Sequence, residues 1–136
     1  MHPKVLNALK ESIEHWTDNY NNPTNMSLGA YHCPLCVLLS DLLKRSKRSP
    51  DKRCTTDIDG VEVMCPIKER TGKPYCDGTP YDKVVSLRAG YQCSQGSAPL
   101  SQYKHVTNWE ATLKEAAGKE LNFLKSLLPK HKGEII

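Results

Sequence analysis

Apolar residues recur at steps of three and four along two long segments, one near each end of the chain, which is the spacing of one face of an α-helix. The first segment predicts a helix from about Pro3 to Tyr20, with an apolar stripe of Val5, Leu6, Leu9, Ile13, Trp16 and Tyr20. The second predicts a helix that starts at a capping box, Thr107-Asn108-Trp109-Glu110, and ends at Pro129; its stripe is Trp109, Leu113, Ala116, Ala117, Leu121, Leu124 and Leu128. We expect these two helices to pack against each other.

The middle of the chain carries shorter apolar segments, interrupted by proline and glycine. The pattern predicts a helix that begins at Pro34 and stops before Pro50. It also predicts one helical turn from Pro66 to Thr71, with Gly72 as its C-cap.

Two further elements are predicted in this middle part. Alternating apolar residues on either side of Asp59-Gly60 predict a short β-hairpin within Thr55 to Met64. Thr79, which is followed by Pro80, predicts the start of a helix that ends at Gly90, with a loop over residues 92–101.

The fold class predicted by these elements is mainly α: a small helical domain with a loop-rich middle. We expect a single domain over residues 1–136. It comprises an N-terminal helix (1–22), a cysteine-rich metal-binding region (27–93) and a C-terminal helix (105–129).

Composition narrows the class of protein further. The chain has 136 residues, of which 38% are hydrophobic and 25% charged, so it can form a thin core and is not typical of a disordered chain. No apolar run approaches the roughly 20 residues of a membrane span. Residues 1–16 lack the apolar core of a secretory signal, so we expect the reducing cytoplasm. A membrane protein, a secreted precursor and a large enzyme are therefore excluded.

Six cysteines carry the strongest chemical signal: Cys33, Cys36, Cys54, Cys65, Cys76 and Cys93. In a reducing compartment, clustered cysteines favour metal binding over disulfides. The Cys33-Pro34-Leu35-Cys36 knuckle lets two sulfurs face one ion, and zinc takes four soft ligands in a tetrahedron. We predict a structural zinc held by Cys33, Cys36, Cys65 and Cys76. Cys54 is an alternative for one of the last two positions, and His32 is another.

Local sequence supports this ligand set. Cys33 and Cys65 each precede a proline, which favours the first helical position. Each cysteine is thus expected at a helix N-cap, where backbone N–H groups and the helix dipole favour a thiolate. Cys93 lies furthest from the knuckle and is expected to be a free buried thiol. Inert buried thiols and disulfides remain alternatives to zinc.

The positive charge of the chain is concentrated in one window, Lys44 to Arg53. This window has a net charge of +5 and the rest of the chain −1, because Asp51 is its only acid and its basic residues are Lys44, Arg45, Lys47, Arg48, Lys52 and Arg53. A solvated loop is the default interpretation. The functional interpretation is contact with an anion such as a nucleic-acid backbone, although no aromatic residues are interleaved for stacking on bases.

Enzymatic alternatives have weaker support. The CxxC pair could act in thiol redox chemistry, but no strand is predicted before it, as a thioredoxin-like fold requires. A zinc deaminase needs a His-x-Glu motif, which is absent, and a proline before the knuckle rather than inside it. The sequence also has no glycine-rich phosphate loop. The protein is therefore expected not to be an enzyme.

The order of short motifs resembles that of a group of small, cysteine-rich, largely uncharacterised proteins of tailed bacteriophages and prophages. The motifs, spread over Leu6 to Val85, are His15-Trp16, Cys33-Pro34-Leu35-Cys36, Cys65-Pro66-Ile67, Arg70-Thr71-Gly72-Lys73-Pro74, Cys76 and Gly78-Thr79-Pro80-Tyr81. Such proteins often place a second close cysteine pair before the Cys-Pro step. Here Glu62 stands in that place and Cys54 is the nearest cysteine, which leaves the fourth ligand open.

The resemblance implies an accessory or counter-defence protein in the cytoplasm of a bacterial host. It would act by binding a host protein or an anionic nucleotide signal, a conclusion that rests on analogy. Basic and aromatic residues near the cysteine motifs are candidate ligand contacts: Arg70, Lys73, Tyr75, Tyr81 and Arg88. The alternatives are a zinc-stapled nucleic-acid-binding protein that uses Lys44 to Arg53, and a redox or zinc enzyme.

Overall fold

A computed structural model of the chain describes residues 1–28, 32–39, 55–73, 76, 78–94 and 106–129. Five α-helices, one short 3₁₀-helix (Pro23–Asn25) and one hairpin make up the regular structure of these residues. The helices are α1 (Pro3–Asn21), α2 (Pro34–Leu39), α3 (Pro66–Thr71), α4 (Tyr81–Ser94) and α5 (Trp109–Ser126), and the strands are β1 (Thr55–Ile58) and β2 (Val61–Met64). The mainly helical class predicted from sequence is confirmed.

The long terminal helices form the centre of the structure. Helix α5 packs against both α1 and α4, and α2 packs against α1. Leu9 of α1 and Leu113 of α5 are fully buried members of one apolar cluster. The two helices approach closely at Gly118, where an added Cβ would lie 3.1 Å from Cε1 of Tyr20. The predicted packing of the first helix against the last is confirmed.

The hairpin forms as its sequence predicts. Strands β1 and β2 pair antiparallel, with Thr55 opposite Met64 and Ile58 opposite Val61. Asp59 and Gly60 form the turn with φ of 53° and 80°, and the left-handed backbone that such a turn requires is easiest for glycine. Ile58 is buried, so the hairpin is anchored on the main core.

Helix α4 is longer than predicted, because it continues past Gly90 to Ser94. The expected stop at Gly90, and the expected loop from residue 92, are therefore wrong over this turn. Gly90 is buried inside the helix, and Tyr91 packs against Trp109 of α5 with ring centroids 5.8 Å apart. This contact anchors the extra turn. Residues 95–101 of the expected loop lie outside the described residues.

The start of α5 also differs in detail from the predicted capping box. The N-cap is Asn108 rather than Thr107, and its side-chain oxygen accepts a hydrogen bond from the backbone N–H of Ala111 at 3.1 Å. Asparagine caps a helix as well as threonine does, so neighbouring candidates compete for the position. The predicted continuation of helix α2 from residue 40 to Pro50 falls on residues that the structure does not describe. No helix among the described residues is both long and apolar enough to cross a membrane.

Candidate metal centre and adjoining cavity

The CxxC knuckle lies at the start of α2, as the proline after Cys33 predicts. Pro34 is the first residue of this helix, and the backbone carbonyl of Cys33 accepts from the N–H of Val37 at 2.9 Å. The backbone N–H of Cys36 points back at the Cys33 sulfur, at 3.3 Å. A backbone donor at this position stabilises the thiolate form of Cys33.

Cys65 reaches the same region from the hairpin. It follows directly after β2 and is the N-cap of α3, with Pro66 at the first helical position. Its side chain is buried, with 6% of its surface exposed. The short helix ends at Gly72, whose φ of 75° places it in the left-handed C-cap conformation that the sequence predicts.

Cys76 is held by a tight turn before α4. Its φ is 66°, an uncommon conformation for a non-glycine residue. Its carbonyl oxygen accepts from both the backbone N–H and the hydroxyl of Thr79, at 3.3 Å and 2.7 Å. The N–H of Gly78 donates to the Asp82 carboxylate at 2.9 Å, which ties the turn to the first residues of α4. The Gly-Thr-Pro-Tyr motif therefore fixes where the Cys76 thiol lies.

Electrostatics place these four thiols, called here the cysteine cluster, in one neighbourhood. The pKa of Cys36 is raised by its hydrogen bond to Cys33, by burial, and by the charges of Cys33, Cys76 and Cys65. Hydrogen bonding from the thiol of Cys36 lowers the pKa of Cys33 to about 7; burial opposes this shift, and the N–H groups of Cys36 and Leu35 assist it. Cys36 thus interacts with all three other predicted ligands.

The four thiols of the cluster lie near one another but are not arranged around a metal ion. Within the described part of the chain, no group of three or more His, Cys, Asp or Glu side chains is already arranged to hold a metal. The cysteines there, Cys33, Cys36, Cys65, Cys76 and Cys93, form no disulfides. Binding a metal at the cluster thus requires the sulfurs to draw together.

A cavity of about 120 Å³, called here the cluster cavity, adjoins the cysteines. Three cysteines of the cluster, Cys33, Cys36 and Cys76, line it, together with side chains from α1, α4 and α5. Its described lining is Ser12, His15, Trp16, Ser27, Leu28, His32, Cys33, Pro34, Leu35, Cys36, Ile67, Cys76, Tyr81, Glu120 and Leu124.

Two polar side chains in this wall are buried without hydrogen-bond partners. Glu120 and Ser12 are each 2% exposed, and neither Glu120 Oε1 nor Ser12 Oγ makes a hydrogen bond in the structure. Burial raises the pKa of Glu120 to about 7, and the charges of Cys33 and Asp82 add to the effect. The Ser12 hydroxyl is near enough to Cys33 to contribute to lowering the pKa of that thiol, but it does not reach hydrogen-bonding geometry.

Ring contacts and hydrogen bonds fix the side chains around the cluster cavity. Trp16 of α1 and Tyr81 of α4 meet edge to face, with ring centroids 6.0 Å apart. His15 Nε2–H donates to the carbonyl of Ser27 at 2.9 Å, and the side-chain amide of Asn19 donates to the same carbonyl at 3.2 Å. These bonds fix the chain after α1 against the cavity.

The other predicted ligand contacts are dispersed. Tyr81 lines the cluster cavity, whereas Arg70, Lys73 and Arg88 are not among the described residues of its wall. Arg70 is exposed and donates to the Ser126 carbonyl at 3.2 Å. Lys73 is exposed, and its side chain passes beside Gly78.

Several candidates fall outside the described residues. They are Cys54, Tyr75 and the basic window Lys44, Arg45, Lys47, Arg48, Lys52 and Arg53. His32, the weaker alternative ligand, is exposed at the rim of the cluster cavity. Cys93 is half-buried in the last turn of α4.

Ser12 and Glu120 are not among the residues predicted from sequence, although a signal for both is present. Ser12 stands three residues after Leu9 and four before Trp16, which are both buried. Glu120 stands four residues after Ala116 and four before Leu124. A polar residue inside an otherwise apolar stripe is buried with the stripe, and such residues deserve a search for function.

Comparisons of the chain with protein-family models, with curated proteins and with solved structures gave no match.

Proposed function

We propose that this chain is a non-catalytic, zinc-stabilised binding protein whose ion is held by Cys33, Cys36, Cys65 and Cys76. The observation that carries the proposal is that the thiols of Cys33, Cys65 and Cys76 all act electrostatically on the thiol of Cys36. These three cysteines come from three separate segments of the chain. Four thiolates in a largely buried place would repel one another, so these thiols can ionise together only if a cation neutralises them. Zn²⁺ is the cation that four soft thiolates favour.

Local geometry supports this ligand set. Cys33 and Cys65 stand at helix starts and Cys76 in a tight turn, so the backbone presents these three ligands from defined positions. Closure on metal binding is common, because the ion itself supplies the energy that orders its ligands. Cys54 stays an alternative for one position.

The first test is the metal content of the chain purified under native, reducing conditions. We expect about one zinc ion per chain by native mass spectrometry and elemental analysis, and loss of that ion in Cys36→Ser. Cys93→Ser is the matched control, since Cys93 is outside the cluster, and it should keep the metal. Chain purified without any bound metal would contradict the proposal.

The fourth ligand is identified by comparing two further variants. If Cys65 and Cys76 complete the site, Cys65→Ser loses zinc and Cys54→Ser retains it. The reverse result would put Cys54 in the site in place of Cys65. Both outcomes are read from the same measurement of metal content.

The binding role is proposed from the resemblance to phage proteins and from the cluster cavity. An anionic nucleotide needs cationic side chains around it, yet Arg70, Lys73 and Arg88 are outside the described wall of the cavity. The cavity therefore favours a host protein over a nucleotide as the partner in a phage accessory or counter-defence role. Retention of a host protein on immobilised wild-type chain, but not on a variant with a filled cavity (Ser12→Leu), tests this choice.

A thiol redox role is the second candidate, favoured by the hydrogen bond that lowers the pKa of Cys33 to about 7. In that role the Cys33 thiolate attacks a partner disulfide, and Cys36 then resolves the mixed disulfide. The partner is reduced to two thiols, and the Cys33–Cys36 pair is oxidised to a disulfide. Chain that is purified without metal, and in which glutathione disulfide reversibly joins Cys33 to Cys36 with release of two glutathione thiols, would favour redox chemistry over a structural ion.

The nucleic-acid alternative rests on residues 44–53 and stays a prediction. DNA binding that falls steeply with added salt and disappears when these basic residues are neutralised would support it.

A further inference from the structure

We propose that the cluster cavity binds a guanidinium-type cation, with the Glu120 side chain as its anchor. The proposal goes beyond the zinc ion, because it concerns Glu120 and the aromatic side chains that line the same cavity as the cysteines. It depends on the position of Glu120 and on the aromatic side chains around it.

The buried carboxyl group of Glu120 is the first feature that favours a cation. The side chain is 2% exposed, lines the cavity, and leaves Oε1 without a hydrogen-bond partner. A buried oxygen of this kind is costly unless something donates to it. Ser12 Oγ, also buried and unpartnered, lines the same cavity. The site therefore offers two hydrogen-bonding oxygens to whatever enters.

The charge of the wall is the second reason. No lysine or arginine is among the described residues that line the cavity; its titratable lining is Glu120, three cysteines of the cluster, His15 and His32. A zinc ion bound by four thiolates leaves a net negative group. Both features disfavour an anion and favour a cation that donates hydrogen bonds.

Size and shape select the guanidinium group. The cavity of about 120 Å³ exceeds the roughly 30 Å³ that one water occupies, and is slightly smaller than a cavity that holds benzene. Its walls include the rings of Trp16 and Tyr81 and apolar side chains. A guanidinium is planar, weakly hydrated, donates two parallel bonds to a carboxylate and stacks on aromatic rings. A compact ammonium ion is more strongly hydrated and should bind less well.

The test titrates full-length, zinc-loaded chain with methylguanidinium and, separately, with its neutral analogue N-methylurea. The readout is the indole N–H signal of Trp16 in a ¹H–¹⁵N spectrum; Trp109, which is outside the cavity wall and packs on Tyr91, serves as an internal reference. We expect saturable movement of the Trp16 signal by methylguanidinium, with a Kd near or below about 1 mM, as for a ligand of so few atoms. N-methylurea should bind at least about tenfold more weakly, since it lacks the charge.

Two variants make the result specific to Glu120. Glu120→Gln keeps the shape of the side chain and should weaken methylguanidinium binding about tenfold or more. Glu115→Gln removes a carboxylate from the exposed face of the same helix, where Glu115 pairs with Lys119, and should leave binding unchanged. Zinc content is measured in every sample, so a failure here with zinc still bound leaves the zinc proposal standing. Ser12→Ala, expected to weaken binding less, provides a second variant should Glu120→Gln fail to fold.

A second experiment distinguishes two sources of the guanidinium group, an arginine of a protein partner and a free small cation. A short peptide with one central arginine is compared with the same peptide carrying neutral citrulline. Arginine peptide that binds more tightly than methylguanidinium identifies a protein partner as the source, and equal binding identifies a small cation. Equal binding of N-methylurea and methylguanidinium, unchanged affinity in Glu120→Gln, or no movement of the Trp16 signal would each overturn the proposal.

Discussion

The long terminal helices and the cysteine-rich middle are stabilised in different ways. Helices α1 and α5 have 19 and 18 residues and bury apolar stripes against each other. Among the described residues of the middle, α2 and α3 span six residues each, and the strands span four. Isolated helices shorter than about 12 residues and lone hairpins are marginal in water. The middle therefore needs support from outside its own elements.

Part of that support is hydrophobic. Leu35, Leu39, Ile58 and Ile67 are buried in the same cluster as the terminal helices. The remainder is assigned by our proposal to zinc. The pattern of apolar residues thus predicts the two long terminal helices, called here the two-helix frame, whereas under our proposal the middle depends on that frame and on its thiols.

The largest expected effect is that of metal removal, which should destabilise the middle much more than the long terminal helices. Structural zinc in small domains binds with about 10–16 kcal/mol, so we expect a strong chelator to cost several kcal/mol of stability and to abolish cooperative unfolding of the middle. Hydrogen exchange followed by mass spectrometry should rise sharply in residues 33–39 and 55–73. Residues 3–21 and 109–126 should keep much more of their protection.

Two controls accompany this measurement. Adding excess zinc should restore the slow exchange, and Cys93→Ser should behave as wild type. Uniform loss of protection over the whole chain would show that the terminal helices do not form an independent frame. Unchanged protection everywhere would count against a structural metal.

Truncating a buried side chain of the two-helix frame should have the next largest effect on stability. Leu113 is fully buried on α5, and Leu113→Ala should lower the free energy of unfolding by about 2–5 kcal/mol through lost burial and a residual cavity. Denaturant unfolding of zinc-loaded protein measures this change. Val85→Ala is the control, because Val85 is 42% exposed on α4 and should cost much less. A similar loss in both variants would contradict the assigned core.

Glu120 of α5, which lines the cavity together with cysteines of the middle, should make the stability of the fold depend on pH. Burial, then the charges of Cys33 and Asp82, raises the pKa of Glu120 from 4.5 to about 7. The folded chain consequently holds this proton more tightly than the unfolded chain, so the contribution is intact below about pH 4.5 and is lost as pH rises to 7. Relative to Glu120→Gln, wild type should lose up to roughly 3 kcal/mol over that window.

Subtracting the two unfolding curves removes the titrations that both proteins share and leaves that of Glu120 together with its coupling to Cys33. The measurement is thermal or urea unfolding at several pH values at saturating zinc. A constant difference between wild type and variant across the window would mean that Glu120 is ionised at its ordinary pKa.

The sequence predicts the frame well because helix period and burial are local properties. Both long helices, the Asp59-Gly60 hairpin and the Gly72 cap follow from spacing or from one residue's backbone preference. The extent of α4 was not predictable in this way, since its last turn depends on the distant contact between Tyr91 and Trp109.

The candidate site was predictable only in part. Residue type and spacing single out the four cysteines, and their convergence on Cys36 is in keeping with that choice. Glu120 was missed because its neighbours in space, Ser12 and the knuckle, are far away in the chain. Arg70, Lys73 and Arg88 were chosen for proximity along the sequence, which does not determine which side of a helix faces a cavity.

The smallest effect concerns the cap of α5, where two adjacent residues compete. Asn108 Oδ1 accepts from the Ala111 N–H at 3.1 Å, so Asn108→Ala should cost about 1 kcal/mol by leaving that donor without a protein partner. Thr107→Ala, one residue earlier, should change stability by less than about 0.5 kcal/mol, as an ordinary exposed substitution does. Both are measured by urea unfolding of zinc-loaded protein. A larger loss in Thr107→Ala than in Asn108→Ala would restore the capping box predicted from sequence and shift the start of the helix by one residue.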